Sequence, residues 1–122
     1  MAVKLNAKAF EKAKKLVKAG HIVKDERDSW SEHQATSKRE NEFIRQNGYE
    51  EYARWHLGLD DAEDEHTKAR YKFPYGDFKD VHRCGVMSAE SRAGQTKHLE
   101  IQEAAARLHE MIDGINHEEQ SK

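Results

Sequence analysis

The strongest constraint on the fold lies in the last quarter of the chain. Between Thr96 and Asp113, the residues Ile101, Ala104, Ala105, Leu108, Met111 and Ile112, followed by Ile115, fall on one stripe of a helix, and Gln102, Glu103, Arg107 and Glu110 fall opposite. Thr96 is placed to cap its start and Gly114 to stop it, and Glu103 with Arg107 has the favourable i,i+4 order. Such a stripe is stable only when laid against another apolar surface. The chain has to supply that surface nearby.

The stretch just before it is the obvious supplier. Residues 71–95, YKFPYGDFKDVHRCGVMSAESRAGQ, contain the only proline of the chain. Pro74 and Gly76 fix a turn over residues 73–77, after which Asp77 or Asp80 can cap a helix over residues 81–93. At about 100° per residue, His82, Val86, Ala89 and Ala93 cluster on one face with Gly85 at its margin. Small side chains allow close approach, so the spacing predicts an antiparallel helical hairpin, 81–93 against 98–113. Gly85 weakens a helix by roughly 1 kcal/mol relative to alanine, which points to close packing or a bend there. On this wheel Cys84 lies about 200° from His82. The two do not meet in a metal site or a thiolate–imidazole pair unless the helix breaks, and His82 reads as a hydrogen-bonded core residue.

The remaining segments extend the helical pattern. Residues 6–20 form a helix with Asn6 as N-cap and Gly20 as stop, after which Ile22 and Val23 fold back onto the core. Residues 24–34 form a loop pinned by Trp30. Ser37 and Glu40 have capping-box spacing, their helix stops at Asn47 and Gly48, and a short second helix covers residues 49–56 with Gly58 as its stop. Phe43, Ile44, Tyr52, Trp55 and Leu57 are core candidates. The acidic run Asp60, Asp61, Glu63, Asp64, Glu65 fails as a calcium loop, because the sixth position is Glu65 instead of glycine and the twelfth is Tyr71 instead of glutamate. It reads as the first turn of a short helix. With 122 residues, 36% hydrophobic and 36% charged, one domain with a lean core is expected. The fold class is all-α: a single domain of four to six helices closed by the C-terminal hairpin, with residues 1–5 and 116–122 frayed.

A formal net charge of −2 argues against a surface built throughout for nucleic acid or anionic lipid. The charge is uneven, however: residues 1–24 hold seven lysines against one glutamate. Lys8, Lys12 and Lys15 form a basic face that is either simply solvated or a footing for phosphate. One cysteine excludes an internal disulfide, no segment approaches a membrane span, and the N-terminus lacks the apolar core of a secretion signal, so a cytoplasmic protein is expected. There is no P-loop, GxGxxG, GxSxG, HExxH or H-x3-H pattern. Spacing therefore assigns no catalytic, cofactor or metal residue, and no cofactor is expected. Tyr75, Arg83 and Arg92 are the candidate binding surface.

The runs WHLG at 55–58, TKARYKFPYGDF at 67–78, VHRCGVMSAESRAGQ at 81–95 and AAARLHEMID at 104–113 resemble a family of small bacterial proteins without an assigned activity, over roughly residues 20–113. The C-terminal half is also similar to short helical segments attached to phage structural proteins. The resemblance implies a bacterial or phage-borne cytosolic protein and carries over no site residue. The expected function is a non-enzymatic interaction module that binds a protein partner or itself. The alternatives are a nucleic-acid-associated protein using the lysine face, with Arg83 and Arg92 as auxiliary contacts, and a metal-dependent or histidine-based enzyme built from His82 and scattered carboxylates.

Overall fold

The computed structural model describes residues 3–25, Trp30 and residues 34–120, with side chains described as far as Gly114. Among them are four helices, α1 (Ala7–Lys18), α2 (Ser37–Ala53), α3 (Arg83–Gln95) and α4 (Leu99–Gln120). Five strands accompany them, β1 (Val3–Leu5), β2 (Ile22–Val23), β3 (His56–Asp60), β4 (Tyr71–Pro74) and β5 (Val81–His82). The architecture is mixed α/β, which corrects the all-α expectation.

The three-stranded sheet is centred on β3, with β1 and β4 antiparallel on its two sides. Leu5 stands opposite Gly58, and Pro74 opposite His56, which confines the proline to an edge strand where its missing N–H costs no ladder bond. Of the residues expected to fray at the N-terminus, Val3–Leu5 are thus in β1, and the 73–77 turn begins one residue before the end of β4. Asn6 joins β1 to α1. Its backbone N–H donates to the Leu57 carbonyl at 2.8 Å, its Oδ1 accepts the Ala9 N–H, and its Nδ2 donates to the carbonyls of Ala53 (2.9 Å) and His56 (3.2 Å). A residue that the sequence offers as a local cap is also the bolt between helix and sheet.

Other boundaries shift for identifiable reasons. Thr36, not Ser37, caps α2, accepting the Arg39 N–H. Gly48, at φ 85°, kinks α2 where the sequence suggests a stop, and the chain leaves the helix at Ala53 to enter β3 instead of coiling on to residue 56. Thr96 does not start α4: its hydroxyl donates to the Arg92 carbonyl at 2.8 Å, closing α3, while the His98 N–H reaches the Ala93 carbonyl at 2.8 Å across Lys97 at φ 61°. Gly114 does not stop α4, which runs to Gln120. The acidic run makes turns, with Asp60 ending β3 and accepting the Ala62 N–H and Asp64 accepting the His66 N–H, before a 3₁₀ turn at Lys68–Arg70.

The α3–α4 hairpin forms as the sequence implies, and α4 also lies against α1, β1 and β3. Val86, Ala89 and Ala93 of α3 meet Ile101, Ala105, Leu108 and Ile112 of α4 in a core completed by Ala9, Ala13, Val17, Trp55, Leu57, Tyr75 and Val81. Gly76 is needed for proximity: a Cβ there would sit 2.5 Å from the Asp80 carbonyl oxygen and 2.7 Å from the Trp55 ring. No helix among the described residues is long and apolar enough to cross a membrane.

His56 is buried in this sheet, and its Nδ1–H donates to the Tyr52 carbonyl at 2.8 Å. Burial lowers its pKa to about 4 from 6.5, outweighing that hydrogen bond. The unfolded chain therefore binds the proton first as pH falls, so stability carried by neutral His56 is full above 6.5 and lost towards 4. His56→Gln is expected to flatten the fall in urea-unfolding free energy between pH 6.5 and 4 by about 3 kcal/mol or somewhat less. An unchanged slope would show that His56 is charged in the folded state.

Candidate metal centre at the start of the third helix

The first N–H groups of α3 need acceptors. Neither Asp77 nor Asp80 provides one. Asp77 closes its own turn, with Oδ1 accepting the N–H groups of Lys79 (3.0 Å) and Asp80 (2.8 Å). The cap comes from Asp25, whose Oδ1 accepts the Cys84 N–H at 2.8 Å across 59 residues of sequence. The two-stranded sheet delivers it. β2 pairs in parallel with β5, Val23 opposite His82, so the chain leaving β2 arrives where α3 begins. A carboxylate there is also favoured by the positive end of the helix dipole.

His82 ends β5 in an extended conformation, φ −99° and ψ 126°, and α3 starts only at Arg83. The helical-wheel separation of His82 from Cys84 thus does not apply, and the exclusion drawn from it is overturned. His82 Nδ1 lies 2.7 Å from Asp25 Oδ2, and Nε2 lies 2.9 Å from Asp77 Oδ2. Both partners are carboxylates, so when the imidazole is protonated both ring nitrogens donate and it is clamped as a cation. Burial by itself would lower the His82 pKa, but the hydrogen bonds to Asp77 and Asp25 and their charges outweigh it and raise the value. Burial would likewise raise both aspartates. It is overcome at Asp25 by the Cys84 N–H and His82, and at Asp77 by the Asp80 N–H and His82, so both are lowered.

The centre is closed over. His82 is 5% exposed and Cys84 1%. The Trp30 ring stands 5.5 Å from the His82 ring, and a Cβ on Gly85 would come within 2.9 Å of the Tyr75 carbonyl oxygen and 3.1 Å of Trp30. Close packing, with α3 helical through Gly85, is the reason for that glycine. Arg83 extends the network: its Nε donates to Asp113 Oδ1 at 2.9 Å, and Asp113 and Glu90 flank His109 at 3.1 and 3.0 Å.

One donor atom each from Asp25, His82 and Cys84 lies within 4.8 Å of the others. A carboxylate, an imidazole and a thiol that close are the donor set of zinc and related transition metals. Asp77 on Nε2 suits this as well, because a carboxylate on one ring nitrogen leaves the other, facing Asp25, as the ligand. Two of these residues have a legible signal in retrospect, since His-x-Cys becomes a ligand pair once residue 82 is extended. Asp25 has none.

Apart from Arg83, the other sequence candidates lie away from this centre or in the core. Tyr75 is fully buried, its hydroxyl donating to the Arg54 carbonyl at 2.7 Å, so it is a core residue and not part of a surface. Arg83 is paired with Asp113, and Arg92 is exposed further along α3. Lys8 and Lys15 are exposed, and the Lys12 ammonium sits over the Trp55 ring at 5.4 Å. Most of the 24–34 loop lies outside the described residues, but Trp30 is buried as expected. Comparison with protein families, curated proteins and solved structures finds no match for this chain.

The clamp has a defined pH window. The raised His82 pKa adds stability below about 6.5 that is lost as pH rises through the raised value. The lowered aspartates add stability above 3.8 that is lost as pH falls below it. Between those limits Asp25→Ala, which strips a buried partner from His82 and the cap from α3, is expected to cost about 3–5 kcal/mol in urea denaturation. Asp25→Asn keeps an acceptor for Cys84 and is expected to cost clearly less. Equal losses from the two variants would show that the cap contributes nothing.

Proposed function

We propose that the protein is a binder of a divalent transition metal, zinc by preference, held by Asp25, His82 and Cys84. The observation that carries this is the convergence of three unlike ligand types from two remote segments into one buried cluster. Within it the Cys84 thiol also hydrogen-bonds the Asp25 carboxylate. When bound, the metal supplies a multivalent cation that joins the exit of β2 to the start of α3. Loading exchanges the Nδ1 proton of His82 and the thiol proton for the metal, so binding weakens as pH falls.

Three protein donors is a count familiar from catalytic zinc, but among the described residues His82 and Cys84 are buried rather than set in a cleft. The role is therefore structural or regulatory, and no catalysis is assigned. A thiolate ligand requires a reduced Cys84, which suits the cytoplasm. The same reading leaves room for the partner or self-association expected of an interaction module, whose shape the metal would fix.

Isothermal titration with zinc is expected to show one equivalent bound per chain, with a higher Tm in excess metal. Cys84→Ser and His82→Ala should abolish tight binding, and Asp77→Asn should weaken it by about 10- to 100-fold through the unanchored ring. Circular dichroism of each variant serves as the check that it is folded. Tight zinc binding unchanged in both Cys84→Ser and His82→Ala overturns the assignment, as does the absence of binding by the wild-type chain.

A further inference from the structure

On the side of the molecule carrying α1 and the kink of α2, two depressions adjoin. One, of about 610 Å³, lies among Tyr49, His66, Arg70, Tyr71, Arg54 and Lys8. The other, of about 530 Å³, continues along α1 past Lys8, Lys12 and Lys15, and Lys8 and Arg54 line both. One end is aromatic: Tyr49 is half-buried, stacked at 6.1 Å and 22° on Tyr71, with the exposed His66 ring edge-on at 5.9 Å. The other end is cationic.

The carboxylates along this groove are largely answered. Glu11 is paired with Lys14 at 2.8 Å and Glu50 with Arg54 at 3.6 Å, leaving Glu65 as the acidic side chain of the wall without an ion-pair partner among the described residues. Neither Lys8 nor Lys15 has a carboxylate partner among them either, and Lys12 is held over Trp55. A row of cations one helical turn apart, leading into a cleft with aromatic rings, matches the two needs of a single-stranded nucleic acid: phosphates along a cationic track and bases against π-faces. An acidic peptide would use the lysines but has no use for the rings. A duplex keeps its bases stacked on one another.

We propose that the groove from Lys15 through Lys8 to Tyr49 binds single-stranded nucleic acid without sequence preference. Lys8, Lys12 and Lys15 track the backbone, and Tyr49 and His66 receive bases at the cleft. The proposal does not depend on the metal centre, which involves none of these residues.

Fluorescence anisotropy of the full chain with labelled oligo-dT and oligo-U, at several salt concentrations, tests it. Binding is expected at low salt and should weaken steeply as salt is added. Lys8→Gln with Lys15→Gln should reduce the log–log salt slope by about 1.4, since each neutralised phosphate of a single strand adds about 0.7 to it. Tyr49→Leu should weaken binding by about tenfold with little change in slope, and His66→Ala provides a second aromatic probe should Tyr49→Leu unfold. The proposal is overturned by no binding at low salt, by a duplex of equal length binding as tightly, by polyglutamate competing equally well, or by lysine and aromatic variants that bind like the wild type.

Discussion

The carboxylate of Asp25 is the point on which the local architecture turns. One of its oxygens receives the Cys84 N–H at the start of α3 and the other receives His82. Removing it would leave a helix start uncapped and a buried imidazolium with one partner fewer, and both costs fall in the same place. Such a residue is held by topology. The parallel pairing of β2 with β5 is only two residues long, and the Val81 N–H adds a bond to the His21 carbonyl at 2.9 Å. The Asp25 bonds and this short ladder support each other, which makes the junction cooperative.

The same junction sets the position of the hairpin. With α3 fixed at its N-terminus, its small face of Val86, Ala89 and Ala93 is presented to α4, and α4 in turn packs on α1 and the β1–β3 ladder. Glycine at 85 and at 76 lets Trp30, Tyr75 and Trp55 close around the region at distances a Cβ would forbid. A buried cluster of charges costs much desolvation, and it is tolerable here because each is answered: His82 by two carboxylates, and Asp77 also by two backbone N–H groups. Those charges specify one arrangement of β5 and α3 against the segment after β2.

The parts of this fold that the sequence makes legible are those with local signals. The stripe of α4 as far as Ile112, the Val86, Ala89 and Ala93 face of α3 and the Asn6 cap all depend on spacing within a few residues and are where the pattern puts them, whereas His82, which the pattern adds to that face, lies in β5. The strands depend on distant partners. His56–Asp60 is nearly buried throughout, so it shows no alternation, and its Gly58 and Asp60 imitate a helix stop followed by an acidic helix start. Val81–His82 is too short to show any period, and reading it as the first turn of α3 puts His82 and Cys84 on opposite faces. That single boundary hides the candidate centre, and Asp25, 57 residues from His82, carries no local signal that would reveal it. Tyr75 misleads in the opposite way, because a tyrosine in a proline-glycine turn looks exposed until Arg54 supplies its buried acceptor.

X-ray absorption at the zinc edge of the loaded protein is the most direct measurement of the central claim, that the junction built by Asp25 is also a metal site. One sulfur at about 2.3 Å with nitrogen or oxygen donors at about 2.0–2.2 Å is expected, and the sulfur should vanish in Cys84→Ser. A first shell of nitrogen and oxygen alone in the wild-type protein would contradict it.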